Sequence, residues 1–351
     1  MYRSLFNHLL IRLSPETSAG LLKGCLKLAS HIPGAQFLLR RRFAINHPCL
    51  HRNLFGIDFR NPIGISAGID VNAEIYNDLA TLGLGFVEIG TITEKPQEGT
   101  PRPRCFWLPA DHSIVNRAGH ANNGIRAVLR NLQAAPPRGI RVLGNLSRGF
   151  DSNPERSIED FDHLYTLCYD FMDAVVINCY GLQINTLQEV VDRITSIRRF
   201  NDEYRPILIK LRPDCTTEEA DAICELILSY GLDGIIVNGS TMSHKGLQTD
   251  KGQLEKIGNG ELSGAVIFDR TLEMLRHVHE STKGLIPIIA SGGIMTPEQA
   301  VETLDAGASL IELHTGFIYN GPRLVRNTLK LLVKADRQRN AERNAKKKNN
   351  H

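Results

Sequence analysis

Three polar side chains stand at the ends of otherwise apolar runs, and their types suit a flat polar ligand. They are Asn145 in residues 141–147 (RVLGNLS), Asn178 in 174–180 (AVVINCY) and Lys210 in 206–212 (PILIKLR). A lysine inside an apolar strand calls for a partner, because an unpaired buried ammonium is expensive. Two further runs end in the small pairs Gly292-Gly293 and Thr315-Gly316. Glycine lets a backbone come close to a ligand, and N–H groups near a helix start bind phosphate, so a phosphorylated cofactor is expected. The plainer alternative is that these glycines only make tight turns.

The elements that must position these residues repeat along the chain. Eight short β-branched runs, at 61–68, 85–91, 141–147, 174–180, 206–212, 234–240, 287–293 and 310–316, are each followed by a helical pattern. Near-continuous apolar strands imply burial on both faces and a parallel sheet covered by helices. Eight such units close into an α/β fold, the (β/α)8 TIM barrel, whose ligand groups gather at the C-terminal ends of the strands. The remaining runs end in Ala67-Gly68, Gly90-Thr91 and Asn238-Gly239, small and amide residues like the first set. Strand starts lie 23 to 33 residues apart except in the second-to-third and sixth-to-seventh intervals, which exceed 50 and predict long loops over the barrel mouth.

Charge divides the 351 residues into three parts. Residues 1–52 hold eight Lys/Arg against one acid, residues 334–351 hold seven against two, and the body 53–333 is net acidic. The first part reads as an amphipathic arm. Ser14-Pro15-Glu16 starts a helix with Leu21, Leu22, Cys25, Leu26, Leu28 and Ile32 largely on one face, and a second helix at 36–42 ends in Arg40-Arg41-Arg42. Apolar burial and headgroup attraction add in such a segment, so a peripheral membrane surface is its expected partner; packing on the barrel is the alternative. The last part is expected to be a solvated, disordered basic tail. No run is long enough to span a membrane, and the seven cysteines lack zinc spacing, so no metal site is expected and a reduced compartment, the cytoplasmic face of a membrane, is the reading. No aromatic-interleaved basic platform speaks for nucleic acid.

From residue 1 to about 330 the chain resembles the class 2, quinone-dependent dihydroorotate dehydrogenases. The resemblance is carried by Leu13-Ser14-Pro15-Glu16, Asn61-Pro62-Ile63-Gly64 through Ala67-Gly68-Ile69-Asp70, Glu88-Ile89-Gly90-Thr91, Asn116-Arg117 with Gly119, Asn122-Asn123-Gly124, Leu262-Ser263-Gly264, Ser291-Gly292-Gly293-Ile294 and Gly316-Phe317-Ile318. It implies FMN across the barrel mouth, held by Ala67, Gly68, Thr91, Asn145, Asn178, Lys210, Gly264, Gly292, Gly293, Thr315 and Gly316. It also implies a small-molecule substrate, dihydroorotate or a relative, contacting Asn116, Arg117, Gly119, Asn178 and Ser240, with a quinone as electron acceptor and a place in pyrimidine biosynthesis. Lys210 would then favour reduced flavin through its charge.

The resemblance breaks at the substrate. The family's lysine after Gly-x-Asp is Val71, its phenylalanine after Asn-Arg-x-Gly is His120, and its Asn-Thr after the sixth strand is Gly239-Ser240. The loop after the fourth strand, Asn178-Cys179-Tyr180-Gly181-Leu182-Gln183-Ile184-Asn185, is three residues short and places Gly181 where the family has its catalytic serine or cysteine. Cys179, Tyr180 and His120 are the candidate replacement bases. Three readings follow: a flavoenzyme that still oxidises dihydroorotate, one of the same fold with another substrate, and a catalytically silent homologue at the membrane surface.

Overall fold

The computed structural model describes residues 2–201 and 203–349, so Met1 and the last two residues of the basic segment lie outside it. All eight expected strands form: β1 (Ile63–Ile65), β2 (Phe86–Ile92), β3 (Arg141–Leu146), β4 (Ala174–Asn178), β5 (Ile207–Lys210), β6 (Gly234–Asn238), β7 (Ile288–Ser291) and β8 (Leu310–Leu313). They pair in parallel in chain order, and β8 returns to β1, closing the TIM barrel.

Strand pleating divides the core in two. Phe86, Leu143, Ala174, Val176, Leu208, Ile236, Ile289 and Leu310 pack together inside the barrel, over Ile57 and Phe59 of a hairpin made by Arg52–Leu54 and Ile57–Phe59. Their chain neighbours, such as Val87, Val175, Ile177, Ile209 and Ile235, face outward against the helices. Side chains two apart share a face, so the next inward layer, toward the strand ends, falls on Ser66, Glu88, Asn145, Asn178, Lys210, Asn238, Ser291 and Glu312. Every one of these is polar.

The two long intervals do not stay as loops. Cys105–Leu108 and Ser113–Asn116 from the first, and Glu261–Gly264 from the second, build one antiparallel sheet beside the mouth. The arm docks here. Phe6 packs edge-on against Trp107 with ring centroids 5.3 Å apart, Trp107 Nε1 donates to Leu13 O (2.8 Å), and Arg104 Nε pairs with Glu16 (3.0 Å).

Within the arm, Pro15–His31 begins as expected, with Ser14 Oγ accepting from Thr17 N (3.1 Å), and Ala35–Phe43 follows. A helix at Tyr2–His8 was not foreseen in the sequence. Leu21, Leu28, Ile32, Phe37 and Leu38 remain exposed, while Leu22, Leu26 and Phe43 pack inward. Among the described residues no helix is long and apolar enough to cross a membrane.

The basic C-terminal segment corrects the sequence reading. It continues the helix Pro322–Asn349 rather than forming a disordered tail. No Gly or Pro interrupts the chain after Pro322, Ala, Lys, Arg and Glu favour helix, and burial of Leu324, Val325, Leu329 and Leu332 anchors the first turns. The segment also brings Asp336 to His47 and Cys49, whose three ligand atoms lie within 4.8 Å of one another, a grouping the cysteine spacing did not suggest. His47 Nδ1 there accepts from Cys49 N (3.3 Å), capping a short 3-10 turn.

Candidate active site

The polar inward layer is a connected network. Glu88, fully buried in β2, accepts from Asn145 Nδ2 (2.7 Å), Ala67 N (2.8 Å) and Lys210 Nζ. Asn178 Nδ2 donates to Asn145 Oδ1 (3.2 Å), and Lys210 Nζ also reaches Ser66 Oγ (3.2 Å) and lies 3.5 Å from Glu312. Burial alone would lower the Lys210 ammonium, but Glu88 and Glu312 outweigh it and leave it raised. Burial pushes Glu88 up, and the charge and hydrogen bond of Lys210 more than reverse that, so Glu88 is ionised. Glu312 goes the other way. Burial and then the neighbouring Glu88 charge raise it to about 8, against the pull of Lys210. The layer thus holds one ammonium, one carboxylate and one neutral acid near neutral pH.

Beside it, at the ends of β1 and β8, His314 is driven down to about 4 by burial first and by Lys210 second, so its imidazole is neutral. At the end of β7 the N–H groups of Gly292, Gly293 and Ile294 have no hydrogen-bond partner among the described residues. Gly293 (φ +71°) is required there, because a Cβ would lie 2.4 Å from Phe268 N and Cα at the start of helix Phe268–Ser281. Thr315 Oγ1 meets Ser263 Oγ at 2.9 Å, which ties β8 to Glu261–Gly264 and brings Gly264 to the same mouth. Free donors, an amide pair and a paired ammonium fit a flat anionic cofactor.

The loops over the mouth sort the catalytic candidates. Cys179 is buried in the core near Cys215, and burial pushes its thiol far above the ordinary range, so it is no base. Tyr180 is 38% exposed and meets the ring of His120 edge-on at 4.9 Å. His120 is lowered to about 4 by burial and then by the charge of Arg148, which leaves a neutral imidazole able to accept a proton. Gly181 has φ +69°, and a Cβ on it would lie 2.5 Å from Arg148 Nη2. The guanidinium therefore stands where a side chain at Gly181 would begin.

The expected substrate residues make contacts of their own within the protein. Arg117 Nη1 donates to Ile257 O (2.6 Å), Nη2 to Pro103 O (3.2 Å), and the guanidinium lies over Phe106. Asn116 Oδ1 accepts from Ala118 N (2.9 Å) and, with Gly119 at φ +66°, shapes the turn that carries His120. Ser240 is buried beyond β6, its N–H donating to Asn238 Oδ1 (3.4 Å). Glu88, Glu312, His314 and Arg148 had not been singled out. The first two carried a signal, an acid inside an apolar run; His314 and Arg148 carried none that the sequence alone exposes.

The comparisons with known proteins agree with this geometry. The family profile described as Dihydroorotate dehydrogenase matches residues 49–335. The chain belongs to the dihydroorotate dehydrogenase family. Relatives named "Dihydroorotate dehydrogenase (quinone)" include one from Christiangramia forsetii, 34% identical over 93% of this chain and 97% of its own length. Another, from Thermosynechococcus vestitus, is 36% identical over 86% of this chain and 85% of its own. The crystal structure of DHODH in complex with ferulenol from Eimeria tenella superposes with a TM-score of 0.81 at 28% identity, covering 92% of each chain. As a dihydroorotate dehydrogenase family member the chain is an oxidoreductase of a flavin-dependent family.

Proposed function

We propose that this protein is an FMN-dependent dihydroorotate dehydrogenase that oxidises dihydroorotate to orotate and delivers the electrons to a quinone at a membrane surface. The observation that carries the reading is the polar inward layer, in which all eight strands aim a polar side chain at one mouth. FMN, when bound, would supply hydride acceptance from the substrate and electron transfer to a quinone. Ala67, Gly68, Thr91, Asn145, Asn178, Lys210, Gly264, Gly292, Gly293, Thr315 and Gly316 would hold it. The free N–H groups after β7 suit its phosphate, and Lys210 suits the edge of the ring that gains charge.

The proton that leaves C5 goes to His120. Of the three candidates it is the one whose unprotonated ring nitrogen can accept a proton, and it meets Tyr180 of the loop that carries Gly181. Asn178 and Asn145, already linked, offer amide groups to the substrate ring. The arm supports the quinone and membrane part of the reading. Its exposed apolar side chains stand with Arg40, Arg41 and Arg42, as interfacial attachment requires, and its other face lies on the sheet beside the mouth.

One observation favours a second reading, the same flavin chemistry on another substrate: the β4 loop is three residues short and Gly181 offers no side chain as a base. The visible spectrum of the purified protein, followed by anaerobic addition of dihydroorotate, separates the two. Bleaching of the flavin band is expected. A yellow protein that stays oxidised favours the other substrate, and a colourless one that cannot be reconstituted with FMN refutes both.

A further inference from the structure

We propose that His47, Cys49 and Asp336 bind a divalent ion of the zinc class, and that the bound ion fastens the C-terminal helix Pro322–Asn349 to the turn where the arm joins the barrel. The three side chains come from opposite ends of the chain, and one ligand atom from each lies within 4.8 Å of the other two. A thiol, an imidazole and a carboxyl are the donor types that zinc takes, with water able to complete a fourth position. Hard ions such as magnesium and calcium take oxygen ligands and would not select the cysteine. No protein cation fills the place. Arg52 is engaged by backbone, its Nη1 donating to Cys49 O and His51 O (both 2.9 Å), and among the described residues no basic side chain forms an ion pair with Asp336.

Each ligand stands on a firm support. Pro48 fixes the chain between His47 and Cys49 in a 3-10 turn, and Leu50 at its end is fully buried. Cys49 N donates to His47 Nδ1 (3.3 Å), so that nitrogen holds a lone pair on the cysteine side, and Cys49 Sγ lies 3.0 Å from it. Asp336 follows one turn after the buried Leu332, and Asn340 Nδ2 donates to its Oδ2 (3.2 Å), leaving the other oxygen for the ion. Hydrogen bonds of this kind orient metal-ligating carboxylates. Tetrahedral zinc, with bonds of about 2.0 to 2.3 Å, sets its ligand atoms about 3.5 Å apart. The separations here, from 3.0 Å to at most 4.8 Å, bracket that value, so side-chain rotations suffice to close the site. All three residues are half-buried, which leaves an ion a path from solvent.

The test uses the full chain, loaded with flavin, stripped with a chelator and dialysed against buffered Zn2+, with the metal content read per chain; Co2+ serves as the coloured probe. One ion per chain is expected, and Co2+ should show the intense visible bands of four-coordinate geometry together with a thiolate charge-transfer band. Cys49→Ser should abolish that band, and His47→Gln and Asp336→Asn should lose the ion, whereas Cys25→Ser should keep it. Asn340→Ala, which removes no ligand, should weaken binding about 10-fold. With Zn2+ bound, trypsin should cut after Lys334 more slowly in wild type but not in Asp336→Asn. If Cys49→Ser fails to fold, the Asp336 and Asn340 variants decide, since both positions lie outside the core. Failure to take up one ion per chain, or an ion held with wild-type affinity in Cys49→Ser or Asp336→Asn, overturns the site. A bound ion that leaves the tryptic rate unchanged overturns the fastening of the helix.

Discussion

Replacing His120 by phenylalanine tests the assigned base by two independent routes. The structure holds this imidazole near pKa 4 against 6.5 in an unfolded chain, so acid charges the unfolded state first. The sign is fixed by that order: the stability associated with a neutral His120 is fully present above pH 6.5 and drains away as pH falls toward 4. Proton linkage with these two values gives a loss of about 0.2 kcal/mol at pH 7 and about 2 kcal/mol at pH 5. His314 is lowered similarly but is present in both proteins and cancels. Urea unfolding at the two pH values should therefore show the wild type losing about 2 kcal/mol more than His120→Phe on acidification. The same variant should keep its flavin and reduce it with dihydroorotate about two to four orders of magnitude more slowly. A stability difference between the two proteins that does not change from pH 7 to pH 5 would falsify the burial argument. Flavin reduction at the wild-type rate would remove His120 from the mechanism, whatever the unfolding curves show.

Two further outcomes follow from the buried polar network and one from the arm. Lys210→Met leaves Glu88 charged, buried and short of its main partner, so it should cost about 3–5 kcal/mol in unfolding measurements and lower flavin occupancy or flavin reduction potential. Glu312→Gln should stabilise the protein near pH 7, because the wild-type acid, raised to about 8, forfeits stability as pH climbs from 4.5; the advantage, on the order of 2–3 kcal/mol, should vanish near pH 4.5. Removing residues 2–43 should release the protein from anionic vesicles in a sedimentation assay while the barrel keeps its flavin; unchanged vesicle binding would refute the anchor.

The barrel was legible because its signal is local and repeated: eight apolar runs at similar spacing leave little choice of architecture. The site was legible in part. Reading where each run ends found Asn145, Asn178, Lys210 and the glycine pairs, but passed over Glu88 and Glu312. Both become visible once the pleat is counted, since Phe86 is inward and Glu88 follows by two, and Leu310 is inward and Glu312 follows by two. Arg117 was assigned to substrate by resemblance alone; that its guanidinium also ties Pro103 to Ile257, 140 residues beyond Arg117, could not be read from the sequence because the second partner is distant in the chain. The helical tail was misread for a related reason. Charge and low hydropathy suggest disorder, but a run without Gly or Pro that grows from a packed helix pays no new nucleation cost.

Two of the departures at the substrate side, Gly181 and His120, become one structural change once the geometry is considered. Arg148 can occupy its place only if position 181 has no Cβ, and a residue without a side chain at 181 leaves proton removal to another group. His120 is the group that meets the same loop, and Arg148 helps to keep it neutral, so the cation that excludes one base also helps to prepare the other. Restoring serine alone should therefore not restore a serine mechanism: in Gly181→Ser the new Cβ would meet Nη2 at 2.5 Å on a backbone at φ +69°, displacing Arg148 or straining the loop. The expected result is slower flavin reduction than in wild type, with an acid limb shifted upward as His120 loses its neighbouring cation. Faster reduction in Gly181→Ser would show that the three positions are independent.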